Sequence, residues 1–419
     1  MLDTDEELRS TYLIPTVLEF TGPVRHELLA AAARSALARH PALRSRFRFD
    51  PVAGRVRYRT DGPPGEVGFL DAEADGWTAR ELERLVDLLS WTPFDLATEA
   101  QARGEVVKVD GTTTLLVLTM HHISFDGWSR HLLVDEVMLT YRALLDGRAP
   151  DLPEPAHPAD LVSPLTGDEL AARVANAVER LRGAPTSVEL PHDRKPEHPS
   201  EIGANRAVVL DPELSAAVLD IAAEEGCTPF MTAAALLAGT FSRTTGQRDF
   251  LFAFGWPGRD DPATADAIGM FMSTLVLRIT VDDATSWRDL LREARIGALE
   301  AFMDSEVPLD AIATALNPGR QVIWPPLTPV LVNVDDLPPE LELAPGVRGR
   351  YRLDGQVRTK YDLGLFIRAD EGPRLSLAFD YPLDRFDHDT IEALLTALRH
   401  SAHALAHLAE ESHVRTPDH

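Results

Sequence analysis

Met120-His-His-Ile-Ser-Phe-Asp-Gly-Trp-Ser129 lies between two stretches of different periodicity. Before it, Thr113-Thr-Leu-Leu-Val-Leu-Thr119 is β-branched and apolar without alternation, the pattern of a buried strand. After it, Leu133, Val137, Tyr141 and Leu144 recur at helical spacing. Two histidines, an acid and a glycine therefore sit on the turn from a strand end to a helix start. Rigid elements on both sides can hold such a turn still, and function often sits on such turns.

Outward from this turn, the same alternation of strand and helix continues in both directions. Tyr12–Phe20 reads as a strand and Arg25–His40 as a helix with Leu29, Ala32, Ala33, Ala36 and Leu37 on one face. Arg44–Phe49 and Arg55–Thr60 read as a hairpin about residues 50–54, and Thr78–Ser90 as a charged helix. Prolines at 150, 153, 155, 158 and 164 give linker composition. A boundary is expected there, with an N-terminal lobe over 1–160 and a C-terminal lobe over 161–419. The second half reads as helices near 168–182, 211–225, 228–244 and 388–408, with strands at 249–254 and 274–281.

Length and composition agree with two lobes of α/β type. The chain has 419 residues, 44% of them hydrophobic, and a formal net charge of −25. That charge argues against nucleic acid or an anionic membrane as partner. The N-terminus has no apolar signal region, and the longest apolar stretch, residues 230–241, is too short to span a bilayer. The single cysteine, Cys227, excludes an intrachain disulfide and fits a cytoplasmic setting; it reads as a small core residue. No metal-ligand spacing, phosphate-binding loop, dinucleotide fingerprint or nucleophile elbow is present.

His121-His122-x-x-x-Asp126-Gly127 resembles the H-H-x-x-x-D-G signature of condensation domains of nonribosomal peptide synthetases and their acyltransferase relatives. Other stretches resemble that family in the right order: residues 39–47 (R-H-x-x-L-R-x-x-F), Pro93-Phe-Asp-Leu96, Leu190-Pro-His-Asp-Arg194, Gly255-Trp-Pro-Gly-Arg259, Ile268–Arg278 and Lys360-Tyr-Asp-Leu363. The resemblance departs at the missing opening S-x-x-Q-x-x-x-W, at Met272-Ser273, at Glu306-Val-Pro-Leu309 and before Leu327–Val334. It implies two chloramphenicol-acetyltransferase-like lobes meeting in a V-shaped pseudo-dimer, with an active-site tunnel between them. It implies no bound cofactor. The 4'-phosphopantetheine comes with a peptidyl or acyl carrier protein, and the acceptor is a small molecule or an aminoacyl group. With no adenylation or carrier segment in view, the chain is expected to be free-standing or excised from a larger synthetase.

Amide or ester formation from a thioester needs a proton acceptor, charge stabilisation at the carbonyl oxygen, and positioning. Histidine has the unperturbed pKa suited to the first task. By resemblance His122 is the catalytic residue, as general base or as positioner. Adjacent side chains in a tight turn rarely both face one cavity, so His121 reads as structural, fixing the loop through backbone hydrogen bonds. Asp126 precedes the helix and could cap it. The family reading gives it a buried salt bridge, with Arg278 as the expected partner, since Arg278 lies off the apolar face of its strand. Gly127 reads either as a plain turn glycine or as a point of substrate approach whose N–H meets the oxyanion. Trp128 reads first as packing; with Asn333 and Ser273 it completes the candidate substrate contacts.

The leading reading is an acyl-transferring condensation enzyme that forms an amide or ester. An acyltransferase of the same superfamily acting on a free alcohol is the nearer alternative. A non-catalytic module that recruits a carrier or a tailoring enzyme is the alternative of another class.

Overall fold

The computed structural model describes residues 8–413 except 51, 53, 54, 164, 318–324, 326, 336, 339, 353–356 and 370–373. Part of the expected hairpin loop at 50–54 therefore lies outside the described residues. The chain forms two compact units. The first comprises 1–163, 257–272 and 338–355, and the second 164–256, 273–337 and 356–419. Two segments from beyond residue 161 thus belong with the first unit.

The first unit is built on a six-stranded sheet in the order Leu341–Ala344, Val347–Tyr351, Leu13–Thr21, Thr113–His121, Ala102–Lys108, Val67–Asp71. Only the last pair is parallel. The motif strand Thr113–His121 has no polar-out alternation because both of its faces are covered. Leu116, Leu118 and Met120 pack against the helices His26–Arg39 and Gly127–Leu145. Leu115 and Val117 pack on the other face, where the helix Ala79–Trp91 brings Leu82, Leu85, Val86 and Leu89. Thr78 caps that helix with Glu81 in a reciprocal capping box.

The second unit carries a seven-stranded sheet in the order Val357–Arg358, Ile202–Val209, Leu375–Pro382, Leu363–Ala369, Val330–Val334, Asp249–Trp256, Ser273–Thr280. The two pairings made by Val330–Val334 are parallel and the others antiparallel. Phe250, Phe252 and Phe254 face a core shared with the helices Pro212–Glu224, Pro229–Thr245, Trp287–Phe302 and His388–His413. Leu251 and Val276 face the helices Gly167–Leu181 and Leu309–Leu316 on the opposite side. Cys227 packs at the edge of the first of these cores, and burial pushes its thiol pKa up. No helix among the described residues is long and apolar enough to cross a membrane.

The Arg39-His40 pair at the end of the helix His26–Arg39 fixes the motif helix. Arg39 Nε donates to Glu136 Oε1 at 2.8 Å, and His40 Nε2 meets Glu136 Oε2 at 2.9 Å. Glu136 is buried on the motif helix, so its charge depends on these two partners. Glu136→Ala is expected to destabilise the protein by about 3 kcal/mol, because it leaves Arg39 and His40 facing an unfilled polar hole. The urea midpoint measures this, and a shift below about 1 kcal/mol would contradict the role given to the pair.

Candidate active site

The strand end and helix start that flank residues 122–126 hold the turn by backbone pairing. His121 N–H donates to Gln101 O at 3.0 Å and His122 N–H to Tyr12 O at 2.7 Å, so the turn begins on the sheet's own ladder. His121 is buried. Its Nδ1 accepts from Ile123 N–H at 3.0 Å, while Tyr12 stacks on its ring and Phe94 meets it edge-on at 6.4 Å. Its side chain is therefore engaged with the loop backbone and aromatic neighbours.

His122 is half-buried, and its Nδ1 lies 2.9 Å from Phe125 O. A carbonyl oxygen can only accept, so Nδ1 carries the proton. In the neutral ring the lone pair is then on Nε2, and the imidazole plane is fixed by the bond behind it. This is the arrangement by which a second partner orients a basic histidine.

Asp126, the one acid of the turn, is 1% exposed by its side chain. Oδ1 accepts from Ser129 N–H at 2.8 Å, which caps the helix Gly127–Leu145. Oδ2 accepts from Phe271 N–H at 3.0 Å. Arg259 Nη2 reaches Oδ1 at 3.1 Å and Oδ2 at 3.3 Å. The same guanidinium donates to Ser129 Oγ at 3.0 Å, to Ala267 O at 2.6 Å and to Thr264 O, and lies 4.3 Å over the Phe271 ring. Burial lowers the pKa of Arg259 and Asp126 opposes that shift. Ser129 Oγ also bonds both the N–H and the carbonyl of Gly269, and Trp128 Nε1 donates to Ala265 O at 2.9 Å. Segment 257–272 is thus wound round Arg259 and clasped onto the first turn of the motif helix.

This corrects the expected Asp126–Arg278 bridge. Arg278 is paired with Asp249, at 3.0 and 2.7 Å, across the strands Asp249–Trp256 and Ser273–Thr280, and also donates to the carbonyls of Arg180 and Arg182. Alternation put Arg278 off the core face, but it did not specify which acid it meets there. Arg259 was visible as the arginine of the Gly255–Arg259 turn, yet nothing local ties it to an acid 133 positions away.

Gly127 is the first residue of the motif helix. Its φ is outside the left-handed region, and an added Cβ would meet nothing within 4 Å. The N–H groups of Gly127 and Trp128 take no acceptor within the chain among the described residues. His121, His122, Asp126, Gly127 and Trp128 are gathered in the first unit; Arg278, Ser273 and Asn333 belong to the second. There Ser273 pairs with Trp256 at the start of its strand, and Asn333 is half-buried opposite Phe366. Trp128 is 46% exposed. Among the described residues no group of three or more His, Cys, Asp or Glu could hold a metal.

Comparison with known proteins gives a consistent result. The family model described as "Condensation domain" matches residues 1–416. A linear gramicidin synthase polypeptide of Brevibacillus parabrevis is 29% identical over 407 residues, covering 92% of this chain but only 8% of that protein. The X-domain from teicoplanin biosynthesis superposes with a TM-score of 0.80 at 22% identity, covering 97% of this chain and 92% of that one. The first condensation domain of the calcium-dependent antibiotic synthetase, solved with a substrate analogue, gives 0.79 at 21% identity, covering 97% and 93%.

The geometry separates the two arginines by experiment. Asp126→Ala and Arg259→Met are each expected to cost about 3–5 kcal/mol, since each strands a buried charge. Arg278→Met is expected to cost about 1 kcal/mol or less, because the Arg278–Asp249 pair is 28% and 27% exposed. Denaturant melts of the three variants measure this; equal losses for Arg259→Met and Arg278→Met would contradict the assignment.

Proposed function

This chain belongs to the condensation-domain family, and from that premise we propose that it joins an acyl group, held as a phosphopantetheine thioester on a carrier protein, to an amine or hydroxyl acceptor. The chain spans 8% of the length of the gramicidin synthase polypeptide it matches, so donor and acceptor are those of whatever assembly it serves. The observation that carries the reading is the bond from His122 Nδ1 to Phe125 O, which leaves Nε2 as the basic atom of an oriented ring.

In the proposed reaction the acceptor nitrogen or oxygen attacks the thioester carbonyl. His122 Nε2 takes or holds the acceptor's proton as the new C–N or C–O bond forms. The tetrahedral intermediate places negative charge on the former carbonyl oxygen. The N–H groups of Gly127 and Trp128, at the positive end of a helix, suit that charge. Collapse breaks the C–S bond, and the thiolate leaves with the proton returned from His122. An amine already neutral needs mainly positioning, whereas a hydroxyl needs the base, so the fold serves either product. Asp126, saturated by Arg259, Ser129 and Phe271, is placed to shape the turn rather than to move protons.

Gly127 adds an independent point. Neither backbone conformation nor crowding requires glycine there, which supports the substrate-approach reading over the plain turn. The recruitment-module reading has one observation in its favour, the likeness to an X-domain whose complex with OxyB has been solved. The oriented histidine weighs against it, because docking alone gives no reason to hold an imidazole in one tautomer.

Single-turnover mass spectrometry with a panel of carrier-bound acyl thioesters, amines and alcohols tests the proposal. His122→Ala is expected to lower product formation at least tenfold, about 1.4 kcal/mol of barrier, with its melting temperature retained. Gly127→Ala is expected to leave stability unchanged while lowering turnover. Carrier binding with no product from any pair would favour the recruitment reading; full activity in Gly127→Ala would return that glycine to a turn role.

A further inference from the structure

A cavity of about 220 Å³ lies on the face of the first unit's sheet that the helix Ala79–Trp91 covers. Leu89 of that helix and Val117 of the motif strand give it apolar walls, and Thr119 Oγ is spent on Leu89 O at 2.9 Å. Arg103 and Glu105 also line it. They stand two positions apart on one strand, so their side chains leave from the same face with Cα atoms about 7 Å apart.

Among the described residues neither charge is matched by an ion pair; Glu99 acts on Arg103 only through space. Arg103 spends one amino group on the carbonyls of Leu89 and Thr92, and its guanidinium lies 4.1 Å over the Phe94 ring; it forms no ion pair among the described residues. The Glu105 carboxylate has neither a hydrogen bond nor an ion pair among the described residues. Burial shifts both groups against their charged forms, lowering the pKa of Arg103 and raising that of Glu105. The room for Glu105 comes from its register partner Gly68, where an added Cβ would lie 2.4 Å from the carboxylate. Glu66 adds a second carboxylate to the lining.

Two half-buried, opposite charges that do not pair with each other are unfavourable until something supplies both counter-charges. We propose that this cavity binds a small zwitterion, an α-amino acid whose carboxylate meets Arg103 and whose ammonium meets Glu105. The volume lies below the range of pockets that take drug-sized molecules, which fits a ligand of this size. Phe94 touches both Arg103 and His121, so the bound carboxylate would sit one aromatic ring from the histidine that braces the motif turn.

Isothermal titration of the full chain with valine, isobutylamine and isobutyrate tests this. Valine is expected to bind at least tenfold more tightly than either singly charged analogue. Glu105→Gln, which keeps the side-chain shape, is expected to weaken valine at least tenfold, and Arg103→Lys to weaken it as well. His122→Ala is expected to leave it unchanged, which separates this cavity from an acceptor bound at the motif turn. Isobutylamine binding as tightly as valine would reduce the cavity to a cation site and overturn the proposal. Valine binding that survives Glu105→Gln, or no valine binding at millimolar concentration, would overturn it too.

Discussion

Everything the motif turn does depends on one buried ion pair. Asp126 and Arg259 have 1% and 3% of their side chains exposed, so each charge is tolerable only because the other is in place. Asp126 fills its remaining acceptor capacity with Ser129 and Phe271 N–H groups, and Arg259 Nη1 donates to the carbonyls of its own loop. The pair is therefore less a bond between two residues than the hub of a small polar core. It fixes the first turn of the motif helix, the position from which Gly127 and Trp128 present their N–H groups.

With this hub in place, the structural duties of the turn fall on residues other than His122. His121 takes the bracing role through Ile123 N–H, and Asp126 takes the capping role. His122 is held from behind, by its backbone on Tyr12 and its Nδ1 on Phe125. A side chain so held keeps its orientation and directs its other nitrogen away from the bond that fixes it, which is what general-base or positioning catalysis requires.

The local features of this arrangement were legible in the sequence, and the distant ones were not. The apolar run 113–119, the helical spacing from Leu133 to Leu144 and the cap at Asp126 all express short-range rules. The partner of Asp126 did not: Arg259 and Arg278 both lie beyond the linker, and alternation along a strand says only that a charge leaves the core face. Asp249, on the adjoining strand, claimed Arg278 instead. That neither φ nor crowding demands glycine at 127 was also not legible, because a glycine required by its backbone and one that is not look alike as letters. The division into units was similarly hidden. Proline content marked the linker, but no local pattern shows that 257–272 and 338–355 return to the first unit.

That return constrains how the chain is made. The strand Leu13–Thr21 has Val347–Tyr351 as one of its two neighbours, and the pairing joins Leu18 to Tyr351. The first unit's sheet therefore stays incomplete, with an open edge at one of its earliest strands, until residues 347–351 have been synthesised. Folding from the N-terminus, the usual order on the ribosome, is closed to this unit. Its sequence separation also slows the search, since a long loop must close before the last strands dock.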